Sequence, residues 1–247
     1  MVENIRSKII LNKIFGHLRN KRKLNIIKRN KKLLSKLNIS SKDFEIYNKL
    51  KEYNTKYGTK IEDINIKEIF LPGYYLRNKG LTDLITDIKF KELIKFCVSS
   101  NAISEISILE KVNFKKLKIL DLGYNSISDI NILEKLDCKG LQELYLGYND
   151  ISNINVLEKV NFPELKILNL SDNRIKDINI LAKVNFKKLE ELNLGYNGIT
   201  DISIFEKVNF QELKELNLYC NKIDKEIYFL IINDLKSKIK RFSMSEY

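Results

Sequence analysis

The sequence predicts an α/β chain: a right-handed solenoid with a parallel sheet on its concave face, preceded by a small three-helix module. Three observations carry this expectation. A 24-residue period runs from Phe90 onward, apolar side chains alternate within each period, and the excess positive charge is confined to residues 1–60. A fixed period of 20–50 residues is the mark of stacked units, none of which can bury its apolar face alone.

Taken in chain order, residues 1–60 read as a basic helical module. Ile9, Ile10, Ile14, Phe15 and Leu18 form the stripe of a helix over 5–18, and Leu24, Ile26, Ile27, Leu33, Leu34 and Leu37 that of one over about 21–37. Ser41 is placed to cap a third helix containing Phe44, Ile46, Tyr47 and Leu50, ending near Tyr57 and Gly58. This segment holds 17 Lys or Arg against four acids, a net of +13, whereas the remainder holds 27 against 28, a net of −1. Two readings of that charge stay open. One is a footprint for nucleic acid, anionic membrane or an acidic protein. The other is a compositional bias towards Lys, Asn and Ile throughout the chain.

Residues 61–89 read as a degenerate first repeat, with Asn78 and Leu81 near the turn positions and Pro72-Gly73 interrupting the strand. Residues 90–224 repeat regularly. Phe90, Phe114, Cys138, Phe162, Phe186 and Phe210 share one register; Leu93, Leu117, Leu141, Leu165, Leu189 and Leu213 follow three residues later. Phe96, Leu120, Leu144, Leu168, Leu192 and Leu216, then Val98, Leu122, Leu146, Leu170, Leu194 and Leu218, supply the period-2 alternation of a short strand. Asn101, Asn125, Asn149, Asn173, Asn197 and Asn221 close each unit, where an amide can bond backbone groups left open by the turn. Residues 225–247 form the last cap: a helix over 225–235, then Ile239, Phe242 and Met244 repeating the strand spacing, for about seven strands in all.

The pattern Leu-x-x-Leu-x-Leu-x-x-Asn-x-Ile resembles the leucine-rich repeat family, over Phe90 to Ile223. The resemblance implies a curved solenoid whose concave sheet binds proteins. A second resemblance lies at the N-terminus, where Ile10-Leu11-x-x-Ile14-Phe15-x-x-Leu18, a gap, and Leu24-x-Ile26-Ile27 resemble an F-box. It implies that Ile10, Leu11, Ile14, Phe15, Leu18, Ile26 and Ile27 contact or support the adaptor subunit of a cullin-based ubiquitin ligase while the repeats hold a substrate. The chain departs from that family at Arg6-Ser7, where Leu-Pro is usual, and at Lys31, where Trp is usual. The alternative is a helical cap covering the first repeat's open edge.

Strand alternation places Asp121, Glu143, Tyr145, Asn169, Glu191, Asn193, Glu215 and Asn217, together with Cys97, on the open face, and Tyr124, Tyr148, Asp172, Tyr196, Tyr219 and Cys220 just beyond the strands. Tyrosine supplies contact area at low entropic cost and is enriched where proteins meet. Copying of one ancestral unit also accounts for Gly-Tyr-Asn at 123–125, 147–149 and 195–197, and Asp172, Tyr219 and Cys220 break that copy. The acids make this face a poor match to phosphate backbones, so nucleic acid is not the expected partner here.

The function expected is non-enzymatic protein binding: ligase substrate recognition, or alternatively a scaffold or enzyme-regulatory role with the N-terminal helices only a cap, or a tether through the basic N-terminus to nucleic acid or membrane. His17 is the sole histidine and Trp is absent, which excludes a His-rich metal site; no catalytic, metal or cofactor group is expected. Glu191 and Glu215 fall on neighbouring strands, about 4.8 Å apart, near glycosidase spacings, but on an open surface. Cys97, Cys138 and Cys220 lack metal or disulfide spacing. The longest strongly apolar run, 227–232, is far below the ~20 residues of a membrane span. The chain is expected to be monomeric alone, without a transmembrane segment or secretory signal, and cytoplasmic or nuclear.

Overall fold

A computed structural model describes residues 41–244 apart from 60, 62–66, 88–89, 91–92 and 209. The chain divides into two units, Met1–Glu52 and Tyr53–Tyr247, with the boundary inside helix α1, Ser41–Tyr57. The two N-terminal helices expected over 5–37, and with them the candidate adaptor residues from Ile10 to Ile27, lie outside the described residues. Helix α1 ends where expected, because Gly58 adopts a φ of 66°, the left-handed conformation that closes a helix.

Eight parallel strands of three residues follow in sequence order: β1 Glu68–Phe70, β2 Lys95–Cys97, β3 Ile119–Asp121, β4 Glu143–Tyr145, β5 Ile167–Asn169, β6 Glu191–Asn193, β7 Glu215–Asn217 and β8 Arg241–Ser243. Helix α2, Arg77–Asp87, connects β1 to β2, and helix α3, Phe229–Lys238, connects β7 to β8. Between β2 and β7 each return is a short 3₁₀ segment: Ser107–Lys111, Asn131–Lys135, Asn155–Glu158, Asn179–Ala182 and Ser203–Glu206. The parallel solenoid read from the period is therefore present, with one more strand than expected.

The core lies between the sheet and the returns. Leu120, Leu144, Leu168, Leu192 and Leu216 stand side by side across β3–β7 and are at most 1% exposed. Ile130, Ile154, Ile178 and Ile202, at the starts of the returns, are buried as well. Burying each such side chain is worth roughly 1.5–3 kcal/mol. No pair of repeats is self-sufficient, so the energy is collected along the stack.

The asparagine column ties the units together. Asn149 donates from Nδ2 to the carbonyls of Leu122, Leu146 and Gly147 at 3.1, 3.0 and 3.3 Å, and accepts the Ile127 N–H at 2.9 Å. Asn125, Asn173 and Asn197 repeat the scheme. A second column starts the last four 3₁₀ segments: Asp129, Asn153, Asp177 and Asp201 each accept the backbone N–H two residues ahead at 2.8 Å. This Asx turn leads the backbone into the helical turn.

Four details differ from the sequence reading. Asn78 is not a turn residue; it lies in α2, where Oδ1 accepts the N–H groups of Ser104 and Glu105. The reason is a longer first unit: Ile69 pairs with Phe96, 27 positions on rather than 24. Pro72 and Gly73 follow β1 instead of interrupting it, and Gly73, with φ 74°, turns the chain there. Helix α3 begins at Phe229, not at 225, because Asp224 Oδ1 accepts the N–H groups of Glu226 and Ile227 and holds 225–228 as turns. Cys97 is not open to solvent; it is 1% exposed, with its thiol donating to Asp121 at 2.9 Å.

Candidate protein-binding face

Each of β3–β7 buries its central residue and turns its outer two toward the open face. The register sets Ile119, Glu143, Ile167, Glu191, Glu215 and Arg241 in one row, and Asp121, Tyr145, Asn169, Asn193, Asn217 and Ser243 in another. Apart from Cys97, which is buried, the face residues expected from the alternation lie on or beside these rows. Asp121, Asn169, Asn193 and Asn217 each also accept a backbone N–H two residues on, at 2.9–3.0 Å, so part of their hydrogen-bonding capacity shapes the strand ends.

Beyond the strands, Tyr124, Tyr148, Asp172, Tyr196 and Cys220 precede the column of asparagines, and all have φ between 53° and 57°. Glycine or asparagine enters this left-handed region at low cost, and a bulky L-residue does not. Backbone bonds enforce the conformation: Tyr124 N–H donates to Gly147 O at 2.9 Å and Tyr148 N–H to Ser171 O at 2.8 Å. In this conformation Tyr124, Tyr148 and Tyr196 are 57, 43 and 49% exposed, and Tyr219, just before the column, is 42% exposed. Tyr124 and Tyr148 stack with centroids 4.0 Å apart and planes at 9°, while Tyr196 and Tyr219 lie 5.5 Å apart at 57°.

The electrostatics of the face are acidic. Tyr145 donates its hydroxyl to Glu143 Oε2 at 2.9 Å; burial, then Glu143, then the charges of Glu191 and Asp121 push its phenol far above the ordinary range. Tyr148 is raised by the Tyr124 hydroxyl and then by Asp172. Lys95 of β2 is the lysine that stands in the Ile119 row; others lie on the returns, where Lys135, Lys159 and Lys183 pair with Glu110, Glu134 and Glu158 at 3.8, 3.5 and 3.7 Å. Glu215 pairs with Arg241. Among the described residues no three His, Cys, Asp or Glu side chains gather as metal ligands would, and no helix is long and apolar enough to cross a membrane. Cys138 is fully buried in the Phe register, and burial, then Asp137, pushes its thiol up to about 12.

Sequence reasoning did not find the left-handed column, since left-handed positions are usually signalled by Gly, Asn or Asp. The usable signal is its fixed place, one residue before each asparagine.

Family models for leucine-rich repeats match residues 139–183 and 187–231 as two-copy units, and a single-repeat model matches 115–130. No curated protein matches the chain by sequence. Among solved structures, internalin C2 of Listeria monocytogenes is 22% identical with a TM-score of 0.57, over 78% of this chain and 90% of that one. A second internalin of the same organism (inlF) is 23% identical with a TM-score of 0.52, over 82% of this chain and 66% of that one. At these identities the likeness speaks to fold alone. With an asparagine column and matching family models, residues 115–130, 139–183 and 187–231 carry leucine-rich repeats, and they stand within one in-register parallel sheet of solenoid form.

Proposed function

We propose that the protein is a non-enzymatic binding module that holds a protein partner on the open face of its sheet. The observation that carries this reading is the row of exposed tyrosines on a rigid, parallel platform. Amphipathic rings with few rotatable bonds lose little entropy on binding and cover large areas. Stacked repeats present such rows as one extended surface. Photo-crosslinking from the full chain in a native cell extract tests it. A photoreactive residue at Ile167, between Glu143 and Glu191, should trap a discrete protein, and one at Lys187 on a return should not. Equal products from both positions would contradict the reading.

A second reading gives the N-terminal segment an adaptor-binding role. It is supported by the F-box-like spacing of Ile10, Leu11, Ile14, Phe15, Leu18, Ile26 and Ile27 and by their place ahead of the repeats. In this arrangement the repeats select a substrate for a cullin-based ubiquitin ligase. The full chain should then capture the ligase adaptor, and Ile14→Asp or Phe15→Asp should abolish capture, because a charge in an apolar interface is desolvated without a partner. Failure of the wild-type chain to capture any adaptor would sink this reading and leave the binding face untouched.

A further inference from the structure

Across β3–β7 and the residues leading from each strand to its asparagine, the open face carries Asp121, Glu143, Asp172, Glu191 and Glu215 and no lysine or arginine. Glu215 pairs with Arg241, and Lys214 feels the Glu191 charge; among the described residues no ion pair engages Asp121, Glu143, Asp172 or Glu191. The repeats do not lack bases. They hold them on the returns, where lysines pair with acids of the preceding repeat, and beside the strands, where Lys166 and Lys214 pair with Glu190. The face is thus left with net negative charge beside exposed aromatic rings.

Three further observations give this charge a shape. Tyr124, Tyr148 and Tyr196 are held in a left-handed conformation that glycine or asparagine would adopt more cheaply, and strained positions of this kind gather where function requires the side chain. Glu143 and Asp121 flank Tyr145, whose phenol responds to both charges. Glu143 and Glu191 are two strands apart, about 9.6 Å from the usual strand spacing. Every third residue of an extended polyproline-type segment recurs at about 9.3 Å. A carboxylate beside a ring face is what a guanidinium or ammonium group requires: the carboxylate takes its N–H donors and the ring face takes its charge.

Resting on the protein-binding reading above, we infer that the occupant of this face is an extended segment of a partner protein bearing arginine or lysine. The bases would lie against Glu143, Asp172 and Glu191, with the tyrosine rings packed along the segment.

Selection of a random peptide library on the immobilised full chain tests the inference, with two variants in parallel. E143Q/D172N/E191Q removes charge and keeps hydrogen-bonding capacity. Y124N/Y148N/Y196N removes the rings and keeps a residue suited to left-handed backbone. Circular dichroism melts verify that both remain folded. The expected result is enrichment of Arg and Lys on wild type, lost on the acid-neutralised variant. The selected peptides should weaken about tenfold or more on going from low to about 300 mM salt, as screened contacts do. Basic-poor peptides, or basic peptides that hold the acid-neutralised variant equally well, would overturn the inference; if those peptides still require the tyrosines, the protein-binding reading stands. Peptides indifferent to both variants, or no enrichment at all, would overturn both.

Discussion

Asn149 shows how one side chain serves two repeats. It is 9% exposed and makes four hydrogen bonds, three to carbonyls and one from the Ile127 N–H. Asn149→Ala leaves those backbone groups buried and open, at a cost of about 1–3 kcal/mol. Denaturant unfolding should show a lowered midpoint at unchanged slope; an unchanged midpoint would contradict the ladder. The cysteines differ by burial. Cys97 is covered, and burial followed by the Asp121 hydrogen bond raises its thiol, while Cys138 is pushed up to about 12. Cys220 is exposed. A thiol reagent at mildly alkaline pH should therefore modify Cys220 in the native protein and reach Cys97 and Cys138 only on unfolding, since the thiolate is the reacting form. Rapid native labelling of Cys138, read by mass spectrometry, would contradict the packing described.

At the scale of elements, the repeats are uniform in the middle and open at the C-terminal end. Leu216 and Leu218 of the β7 repeat are at most 1% exposed, whereas Phe242 and Met244, their counterparts at β8, are half-buried. Ile227, Phe229 and Leu230 are 72, 61 and 80% exposed. Fewer buried contacts mean cheaper local opening. Amide hydrogen exchange should be fastest in α3 and β8 and slowest in β3–β6; uniform protection to the last strand would contradict this gradient. The same contrast explains what is legible in the sequence. The Leu and Asn columns can be read because a strict 24-residue copy puts one residue type at one structural position. The strand Glu68–Phe70 and the role of Asn78 cannot, because the first unit is 27 residues long and breaks the register. The start of α3 escapes the pattern because apolar residues 227–230 suggest a buried helical face, while Asp224 diverts the backbone into turns and leaves three of them outside.

For the whole molecule, the division of labour is one of faces. The returns and the flanks of the strands carry most of the paired charges, the interior carries the leucines and isoleucines, and the open sheet face carries the tyrosines, amides and acids. Alternation along the strands makes this face readable from the sequence alone. It does not reveal that Asp121, Asn169, Asn193 and Asn217 also hold strand ends, nor that Tyr124, Tyr148 and Tyr196 sit in left-handed backbone, since the first depends on how each strand end folds back and the second on bonds to neighbouring repeats. The central claim is that this face holds a protein. The most direct measurement is quantitative affinity capture from native extract, comparing the wild-type chain with Y124A/Y148A/Y196A. Truncating central aromatic anchors costs about 2 kcal/mol or more each, roughly thirtyfold in affinity. The account predicts specific loss of a captured protein from the triple variant while its circular dichroism spectrum and unfolding midpoint show a folded solenoid. An identical set of captured proteins from the two folded chains would contradict it.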